Sequence, residues 1–153
     1  MTWEPGLRLE DIKEELEYID LFLPNDKEAC MLTGADEVEE ALCKIGNCCS
    51  TVVVTAGAKG CIAYREGTYY KAGAAAVGEP VDLTGAGDAF DAGFIFGYLN
   101  NQDILDCLRI ASASGSLAVT YAGGMSHVFQ KETVAEMAKK IMASQRREAD
   151  ENE

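Results

Sequence analysis

The run Val81-Asp82-Leu83-Thr84-Gly85-Ala86-Gly87-Asp88-Ala89-Phe90 constrains this chain more than any other. Small residues lead into an aspartate, and apolar residues then recur at helical spacing. A glycine turn must therefore open directly into a helix. At a helix start several backbone N–H groups have no intrahelical partner, and the helix dipole adds partial positive charge there. Gly85, Ala86 and Gly87 carry almost no side chain that would keep an anion from those donors. The expectation is a phosphate cradle. Asp88 then places a carboxylate beside a site suited to negative charge. Like charges repel, so such a carboxylate does not add affinity; accepting a proton from an attacking hydroxyl is its sensible task. The plain alternative is a glycine turn capped by an aspartate.

The rest of the chain alternates strands with helices. Leu9, Ile12, Leu16 and Ile19 predict a helix ending near Tyr18. Asp20 to Leu23 reads as a short strand stopped by Pro24, and Asp26 to Leu32 as a short helix stopped by Gly34. Asp36 opens a helix that closes at Gly46-Asn47. Thr51 to Thr55 is β-branched throughout and reads as a buried strand. Cys61 to Arg65 and Tyr69 to Ala72 predict a hairpin about Glu66-Gly67-Thr68. Ala86 to Leu99, Ile104 to Thr120 and Lys131 to Ala143 predict helices, with Phe90, Phe94, Ile95 and Leu99 as core on one face of the first. This order implies an α/β layered fold with a mainly parallel sheet. No repeat or linker interrupts it, so residues 1–145 are expected to form one domain and residues 146–153 a frayed, charged tail.

Hydrophobic content of 48% and charged content of 25% suit a soluble globular domain. The 26 acidic and 13 basic residues give a net charge of -13, which argues against a nucleic-acid backbone as partner. Half of the acids precede Ala41, mostly on the amphipathic segment Leu9 to Ile19 and its neighbours, and read as a solvated face. Cys30, Cys43, Cys48, Cys49, Cys61 and Cys107 show no Cys-x-x-Cys spacing, and His127 is the single histidine, so a zinc site is weakly supported. Reduced thiols suit the cytosol. No run is long and apolar enough for a membrane span, and no signal peptide is visible. A cytoplasmic protein with neither nucleic acid nor membrane as partner is expected.

Four segments, in order, resemble the PfkB (ribokinase-like) carbohydrate kinases. Asp82 to Phe90 followed by Ala92-Gly93-Phe94 is similar to the C-terminal signature of that family. Leu23-Pro24-Asn25-Asp26-Lys27-Glu28-Ala29 resembles its Asn-x-x-Glu motif. Val52-Val53-Val54-Thr55-Ala56-Gly57-Ala58-Lys59-Gly60 resembles its strand and Thr-x-Gly-x-x-Gly nucleotide loop. Ile110 to Thr120, with Gly123-Gly124, resembles the helix and loop that close around adenine. The resemblance runs from about Asp20 to Ser144 and covers the C-terminal portion of a ribokinase-like fold. Family members are usually about twice as long, with sugar-binding residues and a β-rich lid in the N-terminal half. The opening Met1-Thr2-Trp3-Glu4-Pro5-Gly6-Leu7-Arg8 does not read as a natural domain start, so a fragment or one half of a split kinase is expected. An incomplete sheet exposes an apolar edge, which predicts a homodimer, aggregation, or pairing with an N-terminal half.

The resemblance implies transfer of the ATP γ-phosphate to a sugar or nucleoside hydroxyl. Asp88 is then the general base, and Gly85, Ala86 and Gly87 supply N–H donors to the charge that develops on the moving phosphoryl group. The run is not a Walker A loop, which would end in Gly-Lys-Ser/Thr. Thr55, Gly57, Gly60, Ser112 and Gly123 are implied nucleotide contacts. For Thr55, Gly57 and Gly60 a tight turn into the hairpin is a coexisting reading, and Lys59 is as readily solvated as phosphate-bound. Asn25 and Glu28 are implied to organise Mg²⁺ and phosphate through water; an N-cap with an acid at N3 is the local alternative. Asp82 is implied to hold a monovalent cation such as K⁺, or is simply a strand-end aspartate. Leu83 and Ser112 depart from the family, which usually has a small or hydroxylated residue at the first place and often Asn at the second. Asp91 reads as a first-turn acid favoured by the dipole, and His127 as a surface residue.

Overall fold

A computed structural model describes residues 6–123 and 128–147 of the 153. The opening Met1 to Pro5, the end of the charged tail, Gly124 and His127 lie outside the described residues. The elements follow in the order α1 (Leu9–Leu16), α2 (Asp26–Thr33), α3 (Val38–Gly46), β1 (Val52–Thr55), a 3-10 turn (Gly57–Lys59), β2 (Cys61–Arg65), β3 (Thr68–Ala72), α4 (Ala86–Leu99), α5 (Ile104–Ala118), α6 (Lys131–Ala138) and β4 (Ala143–Arg147). The α/β class therefore stands.

The sheet runs β1-β2-β3-β4 and is antiparallel, so the expected mainly parallel sheet is corrected. Connection length explains the difference. Parallel neighbours need a crossover of a dozen or more residues. Only residues 56–60 join β1 to β2, and Glu66 and Gly67 alone join β2 to β3. Both turn residues take positive φ, 50° and 72°, as the tightest hairpin turn requires. Parallel pairing survives in the isolated bridges Phe22↔Val52 and Asn25↔Thr55, where α2 and α3 supply the long crossover. The expected strand from Asp20 to Leu23 is reduced to these bridges.

The chain divides into two compact units. The first takes in the chain to Ala56, with Ile62–Tyr69 and the segment from Arg146; the second takes in Gly57–Cys61 and Tyr70–Gln145. The core of the first unit joins Leu16 of α1, Ala29 and Leu32 of α2, Leu42 and Ile45 of α3, Val52 and Val54 of β1, and Ile62, Tyr64 and Tyr69 of the hairpin. Alternation along β1 and β2 sends Val53 and Ala63 to the other face, and they are buried too.

The second unit is built on α4 against α5. Phe90 and Phe94 are buried as expected, together with Gly93 and Gly97. Ile95 and Leu99 are 41% and 73% exposed, which corrects their placement in the core. The buried stripe runs 90, 93, 94, 97 because glycines let the two helices meet closely. A Cβ at Gly93 would stand 3.0 Å from Ala111 Cα, and one at Gly97 would stand 3.0 Å from Cys107 Sγ. Residues 95 and 99 lie off that stripe.

The last expected helix is shorter than the prediction, since α6 ends at Ala138 and β4 begins at Ala143. Arg146 and Arg147, expected in the frayed tail, belong to that strand. The Arg146 guanidinium donates to Glu39 at 3.1 Å and lies 5.1 Å from the Tyr69 ring centre, which gives this polar strand an anchor. None of the six cysteines is in a disulfide. Among the described residues no helix is long and apolar enough to cross a membrane.

Candidate active site

Gly85 opens α4 in the left-handed conformation, with φ +78° and ψ 2°, a conformation that favours glycine. The Ala86 N–H donates back to the Leu83 carbonyl at 3.3 Å, so the turn is closed on itself before the helix begins. The N–H groups of Gly87 and Asp88 come next, in the first helical turn, where no intrahelical carbonyl can serve them. A Cβ at Gly87 would meet nothing within 4 Å. Gly87 is itself exposed, so no side chain of its own and no near neighbour of a Cβ crowds this turn. Asp88 is exposed in the same turn. Of the expected cradle donors, the Ala86 N–H is thus taken by Leu83, while Gly87 and Asp88 are exposed in the first turn of α4.

Asp82 lies just before this turn. One of its carboxylate oxygens accepts the Thr84 N–H and the other accepts the Gly123 N–H, both at 2.9 Å. These bonds, Gly123 first and Thr84 next, pull its carboxyl down to about 2. Both oxygens thus already serve backbone donors. Each oxygen keeps a second acceptor site beyond its backbone donor.

Ser112 lies on α5 and is only 5% exposed. Its hydroxyl is 3.4 Å from Cys61 Sγ, inside the unit. The expected nucleotide contact at Ser112 therefore lies away from the surface. Gly60 takes φ +95°, and a Cβ there would collide with the Ala72 carbonyl oxygen. Its glycine is needed for the close approach of the hairpin. Gly57, at φ +55°, is exposed, and a Cβ there would meet nothing within 4 Å. Of the two, only Gly57 leaves its backbone open to a ligand.

In the first unit, Asn25 caps α2. The Glu28 N–H donates to Asn25 Oδ1 and the Asn25 N–H donates to Glu28 Oε2, each at 2.9 Å. The capping box that the sequence offered as an alternative is present. The parallel bridge to Thr55, with the Thr55 N–H 3.4 Å from the Pro24 carbonyl, brings Asn25, Glu28 and Thr55 to one end of β1. Glu28 uses one oxygen in the cap and keeps the other. That donor set fits a hydrated Mg²⁺, which retains several waters and needs one or two carboxylates plus phosphate oxygens. Among the described residues no group of three or more His, Cys, Asp or Glu is placed to enclose a metal.

Sequence reasoning missed Gly115. A Cβ there would stand 3.2 Å from the Ala86 carbonyl oxygen, so Gly115 determines how closely α5 approaches the first turn of α4. The run of small residues along α5 carried this signal. It also missed Thr84, whose N–H ties the turn to Asp82.

Comparison with known proteins identifies relatives of this chain. A cytidine kinase of Thermococcus kodakarensis is 35% identical over 102 residues, covering 65% of this chain and 36% of that protein. A ribokinase of Haemophilus influenzae is 30% identical over 129 residues, covering 80% and 42%. Arabidopsis thaliana ribokinase, solved with ribose and ATP, superposes with a TM-score of 0.76 at 29% identity, over 83% of this chain and 43% of that one. Vibrio cholerae fructokinase, solved with fructose, ADP and calcium, gives 0.75 at 30%, over 84% and 44%. The chain spans less than half the length of each of these relatives. The profile described as pfkB family carbohydrate kinase matches residues 2–131, and the chain belongs to that family.

Proposed function

We propose that this chain is the nucleotide-binding and catalytic part of an ATP-dependent sugar or nucleoside kinase. The observation that carries the reading is the start of α4, where Gly85 turns the chain and the exposed residues Gly87 and Asp88 follow in the first helical turn. Asp88 takes the proton of an acceptor hydroxyl as its oxygen bonds to the γ-phosphorus and the bond to ADP breaks. The N–H groups of Gly87 and Asp88 stabilise the charge that develops on the transferring group. Asn25 and Glu28 would hold a hydrated Mg²⁺ in the first unit, Glu28 through its remaining oxygen. Relatives that act on cytidine, ribose and fructose leave both sugars and nucleosides as candidate acceptors.

A second reading is a nucleotide-binding module that acts through a partner; the chain spans 36% and 42% of the two kinases above.

A thermal melt with and without Mg·ADP tests the first reading, because a ligand that binds only the folded chain raises Tm. The expected result is a rise that Gly87→Asp removes; the open space at Gly87 admits the side chain, and its charge repels phosphate. A cooperative melt with no rise overturns nucleotide binding by this chain. Sugar-dependent ADP release that appears only after mixing with a complementary half favours the split kinase.

A further inference from the structure

Asp82 joins two segments that are far apart in sequence and both within the second unit. Its carboxylate accepts the Thr84 N–H and the Gly123 N–H, each at 2.9 Å. The main chain beside it is tied to the same place: the N–H groups of Val81 and Asp82 donate to the Val119 carbonyl at 2.7 and 3.3 Å. Val119 caps the C-terminal end of α5. Thr84 leads directly into Gly85, and Gly123 takes φ +92°, a backbone state that side chains resist. One carboxylate therefore holds a turn that ends in the anion cradle against the loop that leaves α5.

We infer that Asp82 is a positioning residue, which keeps the phosphate turn and the Gly123 loop in register so that a nucleotide meets both already aligned. The inference rests on the nucleotide reading above. Hydrogen bonds to an ionised carboxylate are stronger than neutral ones, and fixing a loop before binding removes an ordering cost that the ligand otherwise bears. The carboxylate is exposed, so its contribution to global stability is small. Positioning and scaffolding are thereby separable.

The test compares the full chain with Asp82→Asn, which keeps one acceptor oxygen, and Asp82→Ala, which keeps none. Amide exchange at Thr84 and Gly123 is measured without ligand, and affinity for Mg·ADP and for inorganic pyrophosphate by calorimetry. The expected result is faster exchange at Gly123 in both variants while α4 and α5 stay protected. Mg·ADP affinity falls about tenfold or more in Asp82→Ala, on the scale of a lost charged hydrogen bond. Pyrophosphate, which reaches only the turn, loses less. If the Ala variant gives no cooperative melt, the Asn variant carries the comparison. Unchanged exchange at Gly123, or equal Mg·ADP affinity in wild type and variant, overturns the inference. A wild-type chain that binds no Mg·ADP overturns the nucleotide reading instead, and the exchange rates still decide whether Asp82 ties the two segments.

Discussion

Gly115 of α5 lies so close to the first turn of α4 that a Cβ on it would stand 3.2 Å from the Ala86 carbonyl oxygen. A backbone oxygen inside a helix cannot rotate away as a side chain can. Gly115→Ala is expected to be nearly neutral, because the tight contact offsets a gain in helix propensity of about 1 kcal/mol. Gly115→Leu has no such balance and loses roughly 1–3 kcal/mol to overpacking. It also displaces the start of α4. Denaturant melts check the first effect. The rise in Tm with Mg·ADP checks the second, and it should shrink in the Leu variant.

Asp88→Asn keeps the shape of the first turn and removes the proton acceptor. In any assembly that transfers phosphate, turnover should fall by about 10²–10⁴-fold, the usual contribution of a general base. Mg·ADP should still raise Tm, since the N–H donors remain. Steady-state rates and a melt on the same sample separate the two. An Asn variant as active as wild type would show that the carboxylate is a helix cap and nothing more.

The thiols should divide by burial. Burial pushes Cys61 up to about 11, with the Ser112 hydroxyl pulling the other way. Cys107 also rises to about 11, through burial first and then Asp103 and Asp106. Maleimide at pH 8 should label the partly exposed Cys43 and Cys48 well before these two. For both buried thiols the folded value lies above the ordinary one, so the unfolded chain releases its proton first as pH rises. Their stabilising contribution is complete below about pH 8.5 and is lost as pH climbs towards 11. Tm should fall across that window, and less steeply in Cys61→Ala. A slope identical in wild type and variant would remove Cys61 from the account.

Thr51 sits next to β1 and is only 1% exposed. Its hydroxyl has no hydrogen-bond partner among the described residues. A buried, unpaired polar atom costs about 1–3 kcal/mol. Val has nearly the same shape without that atom. Thr51→Val should therefore raise Tm, and a fall would reveal a partner for the hydroxyl.

What was legible in the sequence is what local pattern decides. Val52 to Thr55 declared a buried strand by its β-branched run, and the Glu66-Gly67 turn declared a hairpin. The glycine run from Gly85 placed the start of α4 correctly, because turn chemistry and helix geometry both act within a few residues. Sheet direction was misread because alternation of strands and helices suggests crossovers, whereas the short link after Thr55 leaves no room for one. Residues 143–147 are polar and carry no alternation, so nothing local marks β4. Its strand state comes from pairing with β3 and from Arg146 meeting Glu39 and Tyr69, more than seventy positions upstream. The burial of Ser112 was not legible for a related reason: a serine on a small-residue helix face looks the same whether it faces solvent or a buried thiol.

The strand order also sets a timetable. The β2–β3 hairpin closes over two residues, and it can form as soon as residue 72 exists. β4 takes its place beside β3 only after α4, α5 and α6 have been made, so the sheet cannot be completed on a growing chain before residue 147 has been synthesised and released from confinement. Closing that long loop is an entropic step that earns no contact until it is finished. Until then the outer edge of β3 stays unpaired on the nascent chain, which makes it the natural place for a chaperone or a neighbouring copy to engage. A chain stalled on the ribosome at residue 120 and the released full-length chain, compared by limited proteolysis around Tyr70 and Lys71, would show that edge protected only in the second.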